Sequence, residues 1–158
     1  MRRRLNEPAV LRSVFLRILG GCRVRVLMQI GLVALGSALG GLTRWGVTAG
    51  MGRLFGTGFP WGTFSVNIAG SFFIGWLMTV LFERFPSGSL FQLGPDDLRL
   101  LLAVGFTGSL TTFSTFEYES HSLLRDGDGL TAMTYLFGSL FFGVIAVRLG
   151  ITLGRYGL

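Results

Sequence analysis

Four runs of mainly apolar residues fill most of this 158-residue chain, at about Gln29 to Thr48, Gly62 to Phe82, Leu98 to Leu124 and Leu130 to Leu149. A helix of about 20 such residues crosses a bilayer core of roughly 30 Å. Each run reaches that length, and the connections left between them are short. The expectation is therefore an all-α membrane protein with four transmembrane helices and no separate soluble domain. Composition agrees, since half the residues are hydrophobic and only 14% are charged. Residues 1–28 read as an Arg-rich N-terminal extension, and 29–158 as the four-span domain.

The net charge of +6 is carried by arginine alone, with seven of the 14 basic residues in the first 25 positions. Arginines at the ends of apolar segments act as topology and headgroup anchors, so a lipid bilayer is the expected partner and no nucleic acid is. A single cysteine, Cys22, excludes an internal disulfide framework. With His121 the sole histidine, no Cys/His metal cluster can form, and His121 reads as an interfacial or loop residue. The first 27 residues fit a signal-like leader, an interfacial amphipathic helix, or an upstream extension ahead of Met28. No Ala-x-Ala cleavage site is evident, which favours a cytoplasmic or interfacial extension. Four spans put both termini on one side, where Arg84, Arg99, Arg148 and Arg155 face Arg44, Arg53 and Arg125 across the membrane. That balance gives the core almost no orientation bias, whereas the seven leading arginines favour a cytoplasmic N-terminus.

Polar groups recur where lipid-facing helices would not keep them. The first span carries Gly36-x-x-x-Gly40, a spacing that permits close helix contact, followed by Arg44, whose stem can reach the interface from near the helix end. A glycine-rich loop from Gly50 to Trp61 leads into the second span, with Pro60 and Trp61 marking its start. Along that span Thr63, Asn67 and Ser71 share one face at intervals of four. Asn67 lies roughly 10 Å beyond Pro60, deep enough to need a protein partner or water. In the fourth span Thr131, Tyr135, Ser139 and Gly143 form a second small and polar stripe. The segment from Glu83 to Asp97, with Pro86 and Pro95, reads as a solvent connection.

The third run is the unusual one. Residues 105–116 read Gly-Phe-Thr-Gly-Ser-Leu-Thr-Thr-Phe-Ser-Thr-Phe, too rich in Gly, Ser and Thr for an unbroken lipid-facing helix. A helix broken near the midplane is expected. Irregular backbone at membrane depth survives only where it is buried in protein or lines a polar cavity, and such breaks build ion sites.

Three elements in this order resemble the CrcB/Fluc fluoride channel family. They are Gly36-x-x-x-Gly40 with Arg44, Pro60-Trp61-Gly62-Thr63-x-x-Val66-Asn67, and Gly108-x-x-Thr111-Thr112-Phe113-Ser114-Thr115-Phe116 with Glu119. The resemblance spans about Gln29 to Arg155 and leaves the first 27 residues without a counterpart. It implies an antiparallel, dual-topology homodimer in the bacterial cell inner membrane, with fluoride pores built from both subunits and a structural sodium ion at the dimer centre. It also implies that Asn67, Phe113 and Phe116 line the fluoride path, with Ser114, Thr115, Tyr135 and Ser139 beside it. Backbone carbonyls of Gly108 and Thr111 correspond to sodium ligands, and Glu119 to an acidic group near one vestibule. Two departures stand out: Ser109 replaces a common second glycine, and Gly143 a frequent pore-facing hydroxyl.

The residue types suit a small, heavily hydrated anion. Conduction needs several modest sites in series. Asn67, Ser114, Thr115 and Ser139 offer neutral donors, and the weakly positive ring edges of Phe113 and Phe116 can contact an anion without trapping it. Four helices packed roughly 8 to 10 Å apart enclose no lumen, so a pore needs a second subunit. No nucleotide loop or paired catalytic carboxylates are present, so passive channel function is expected rather than enzyme chemistry. Two rival readings are a small dual-topology proton-coupled exporter, which would need an acidic residue in the first span, and a non-transporting assembly protein, which would not need polar groups on three spans.

Overall fold

The computed structural model describes residues 7–84 and 94–157, with side chains over 23–83 and 94–157. The connection around Pro86 lies outside the described residues. The chain divides into two compact units, Met1–Gly31 and Leu32–Leu158. Among the described residues all regular structure is helical: α1 (Glu7–Phe55), α2 (Trp61–Thr79), α3 (Pro95–Leu98), α4 (Gly108–Leu110), α5 (Phe113–Arg125) and α6 (Gly129–Tyr156). Wider π-helical turns continue α2 through Val80–Arg84 and join α3 to α4 through Arg99–Thr107.

Three of these stretches are long and apolar enough to cross a membrane: Arg23–Phe55, Trp61–Glu83 and Gly129–Tyr156. The third apolar run of the sequence is split instead between a rod over 95–110 and α5. The first helix begins upstream of the expected Gln29, and two helix ends also differ from the sequence expectation. The first helix continues past Thr48 to Phe55, which shrinks the expected Gly50 to Trp61 loop to residues 56–60. Its stop is set by Gly56, which takes a φ of 75° and donates its N–H back to Gly52 O at 3.1 Å, a left-handed helix end that glycine adopts freely. Arg44 accordingly sits about three turns before the helix end, not near it. The last helix likewise continues beyond Leu149 to Tyr156. Arg155 in its final turn pairs with Glu83, Nη2 to Oε1 at 2.8 Å and Nε to Oε2 at 2.9 Å, tying the ends of α2 and α6 together.

Small residues let the backbones meet. A methyl group on Gly36 would overlap the Leu101 carbonyl oxygen, and one on Gly40 the Phe106 carbonyl oxygen, so this glycine pair seats α1 on the π-helical segment. Gly105 answers from the other side, against Val33 O. A second seam, not anticipated from sequence, joins α2 and α6: Gly75 packs on Val147 O, Gly150 on Phe72 O and Gly154 on Thr79. Within a bilayer, where lipid is as apolar as leucine, such close packing replaces the hydrophobic effect as the force between helices. Thr107 Oγ1 donates to Leu102 O at 2.7 Å, five residues back, consistent with the wide winding of this segment.

Gly150→Ala is expected to destabilise the fold by about 1–3 kcal/mol, because the group in its way is backbone and cannot swing aside. At Gly143 a β-carbon meets only ordinary contacts, so Gly143→Ala should leave the unfolding midpoint in detergent unchanged or raised. Equal losses in both variants would refute the seam.

Candidate functional site

Helix α4 stops at Leu110, and Thr111 (φ −84°, ψ 154°) and Thr112 (φ −150°, ψ 120°) run extended before α5 begins at Phe113. This is the break that the Gly/Ser/Thr-rich composition implied. Asn67 on α2 acts there as a substitute peptide group. Its Oδ1 accepts the Thr112 N–H at 2.9 Å, and its Nδ2 donates to Thr112 O at 3.2 Å. Thr112 in turn caps α5, its Oγ1 accepting the Thr115 N–H at 3.3 Å.

These two bonds divert the amides that a continuous helix would have used elsewhere. In an unbroken α-helix the Thr112 N–H would serve Gly108 O, and the Thr115 N–H would serve Thr111 O. Both carbonyls therefore lose their helical donors and remain as hard oxygen acceptors. Such a donor set fits an alkali cation, and Gly108 and Thr111 are the two positions assigned to sodium by the family resemblance.

Along the break lies an open cavity of about 470 Å³. Asn67, Ser71 and Ile74 of α2, Thr107, Gly108, Thr111 and Thr112 along the break, Phe113 and Phe116 of α5, and Ser139 of α6 contribute to its wall. None of its lining residues is ionisable. Ser139 Oγ is buried there without a protein hydrogen-bond partner. Phe116 is buried, whereas Phe113 beside it is 69% exposed, their ring centroids 6.0 Å apart. The N-terminal end of α5, where helix dipoles are positive, opens at the same wall.

The structure thus gathers Asn67, Phe113, Phe116, Ser139, Gly108 and Thr111 around one cavity. Ser114 and Thr115 lie on the exposed side of α5's first turn, and Thr115 Oγ1 accepts from Thr112 Oγ1 at 3.0 Å. Tyr135 is fully buried away from the cavity wall, donating to Glu119 Oε2 at 2.7 Å. Thr63 donates to Glu119 Oε1 at 2.9 Å. One carboxylate thereby links α2, α5 and α6, and the Tyr135 ring packs edge-on to Phe116 at 5.1 Å, bracing that ring. Glu119 also borders a second cavity, lined by Thr48, Trp61, Thr63 and Asp126 among others. Arg44 is half-buried on α1 and lines neither cavity. The Thr63–Glu119–Tyr135 network was not legible in the sequence, although Thr63 belongs to the polar stripe that contains Asn67.

Residues 31–151 match the family described as CrcB-like protein, Camphor Resistance (CrcB). The chain belongs to the CrcB family. Among the CrcB relatives, a Thermus thermophilus protein is 46% identical over 123 residues, covering 78% of this chain and 91% of its own length. A Chloroflexus aurantiacus protein is 42% identical over 124 residues, covering 78% of this chain and 93% of its own. Both bear the name fluoride-specific ion channel FluC. The matched region contains every cavity residue named above.

Replacing Asn67 by alanine strands the Thr112 N–H and carbonyl, each at a cost of about 1–3 kcal/mol if no water reaches them. Amide hydrogen exchange over residues 108–116 should accelerate at least tenfold in Asn67→Ala, which follows from about 1.4 kcal/mol of lost protection. Unchanged protection would show that Asn67 does not hold the break.

Proposed function

We propose that this CrcB chain is a passive fluoride channel of the bacterial inner membrane, which lets fluoride leave the cytoplasm and so limits its toxicity. The observation that carries this reading is the cavity at the helix break, lined by a neutral amide, hydroxyls and phenylalanine rings and by no ionisable group. Neutral donors return part of an anion's lost hydration without holding it, as conduction requires. The FluC names of relatives that align over most of the chain support fluoride as the ion.

The working unit is a homodimer of four-span subunits in antiparallel, dual-topology arrangement, the broken rod and α5 together forming the third span. The open cavity and the exposed face of Phe113 support this, because a single subunit leaves the path unwalled on one side. At the dimer centre the Gly108 and Thr111 carbonyls would hold a structural sodium ion. When bound, it supplies positive potential near the anion path. Residues of the chain do the rest: Asn67 fixes the backbone at the break and keeps one amide proton for the cavity, Phe113 and Phe116 present ring edges, and Ser139 offers its unpartnered hydroxyl. The negative-inside membrane potential drives the anion outward by about 2.3 kcal/mol per 100 mV, so no energy-coupling site is needed.

A proton-coupled exporter fits less well. It needs a carboxylate in the substrate cavity, and Glu119 is engaged with Thr63 and Tyr135 outside it. A purely structural assembly protein would have no use for a buried, unpartnered Ser139 hydroxyl.

Purified protein in liposomes should release fluoride, and not chloride, without an imposed proton gradient. Phe113→Ile should lower fluoride efflux by about tenfold or more, the equivalent of about 1.4 kcal/mol in the barrier, with the dimer intact by size-exclusion chromatography. Release that strictly requires a proton gradient would overturn the channel reading in favour of the exporter. Separately, the unfolding midpoint should rise when sodium replaces N-methylglucamine, and an identical midpoint in both would remove the cation from the scheme.

A further inference from the structure

Ser71 lies one helical turn beyond Asn67 on α2 and lines the same cavity. Facing it on α6 is Gly143, itself one turn beyond Ser139. A β-carbon on Gly143 would stand 3.8 Å from Ser71 Oγ and 4.0 Å from Ile68 Cδ1, both ordinary contacts. Crowding therefore does not require glycine at 143, in contrast to Gly150 on the same helix, where backbone blocks any side chain. The glycine leaves room for no more than a small side chain opposite the Ser71 hydroxyl. Ser139, on the same stretch of α6, also lines the cavity, and its Oγ is buried with no protein hydrogen-bond partner.

We infer that Ser71 is a further fluoride-contacting residue, the α2 member of a hydroxyl pair with Ser139, and that Gly143 keeps the ground between the two helices clear for the ion. This deepens the channel reading and rests on it. A hydroxyl can turn its proton toward an anion at no cost in charge. Asn67 and Ser71 stand about 6 Å apart along the helix, so an ion leaving the amide reaches the next donor before it is fully stripped of partners.

The test is fluoride efflux from liposomes by wild type, Ser71→Ala, Ser71→Cys and the double variant Ser71→Ala/Gly143→Ser, with assembly checked by size-exclusion chromatography. Ser71→Ala should lose about tenfold in fluoride flux. Ser71→Cys keeps the side-chain volume but offers only a weak donor, and should lose a similar amount, which separates chemistry from packing. In the double variant the new hydroxyl projects from Gly143 into the vacated space, and flux should recover to within about threefold of wild type. Full flux in Ser71→Ala or Ser71→Cys, or an assembled double variant that stays inactive, overturns the inference while the channel stands. Wild-type protein that passes no fluoride overturns the channel reading itself.

Discussion

A peptide group inside a bilayer must find a hydrogen-bond partner within the protein, and the break at Thr111 and Thr112 is where this chain meets that demand from outside its own helix. Asn67 supplies both halves of the missing bond, Oδ1 for the Thr112 N–H and Nδ2 for its carbonyl. Thr112 then caps the next helix with its hydroxyl. The exchange is not neutral in its consequences. Each amide captured in this way releases a carbonyl one turn earlier, at Gly108 and Thr111, so anchoring the break also frees backbone acceptors beside it.

The same geometry separates charge preference without placing a single charged side chain in the cavity. The incoming rod ends in acceptors, and α5 begins with the positive end of its dipole. An anion path and a cation site can therefore lie within a few residues of each other. A lysine or arginine would have raised affinity and stopped the ion; amides, hydroxyls and ring edges give attraction weak enough to leave. The bracing is also indirect: Glu119 holds Tyr135, Tyr135 packs on Phe116, and Phe116 neighbours Phe113. The carboxylate thus fixes a ring at the cavity while remaining outside its wall.

Close packing makes this positioning possible. Glycines at 36, 40, 105, 75, 150 and 154 let helix backbones approach to contact, which confines the rod between α1 and α2 and locks α6 along α2. On α2 itself Gly70 lies against Thr111 Cγ2, one turn beyond the Asn67 that bonds the Thr112 backbone. Gly143 belongs to a different class, since nothing presses on it.

Much of this was determined by the sequence itself. Apolar runs of bilayer length demand helices, the excess of Gly, Ser and Thr over 105–116 demands an interruption, and the spacing of Thr63, Asn67 and Ser71 puts three polar groups on one face, because hydropathy and helical period are local properties. Only the tertiary structure decided which partner each polar group took. That Asn67 grips Thr112, that Tyr135 turns to Glu119 rather than to the cavity, that α1 runs on to a left-handed Gly56, and that a second glycine seam binds α2 to α6 depend on contacts between residues 16 to 78 positions apart, or on a backbone conformation that glycine permits but does not compel. Periodicity names the face a side chain occupies; the distance to its neighbour is set by how closely the helices pack.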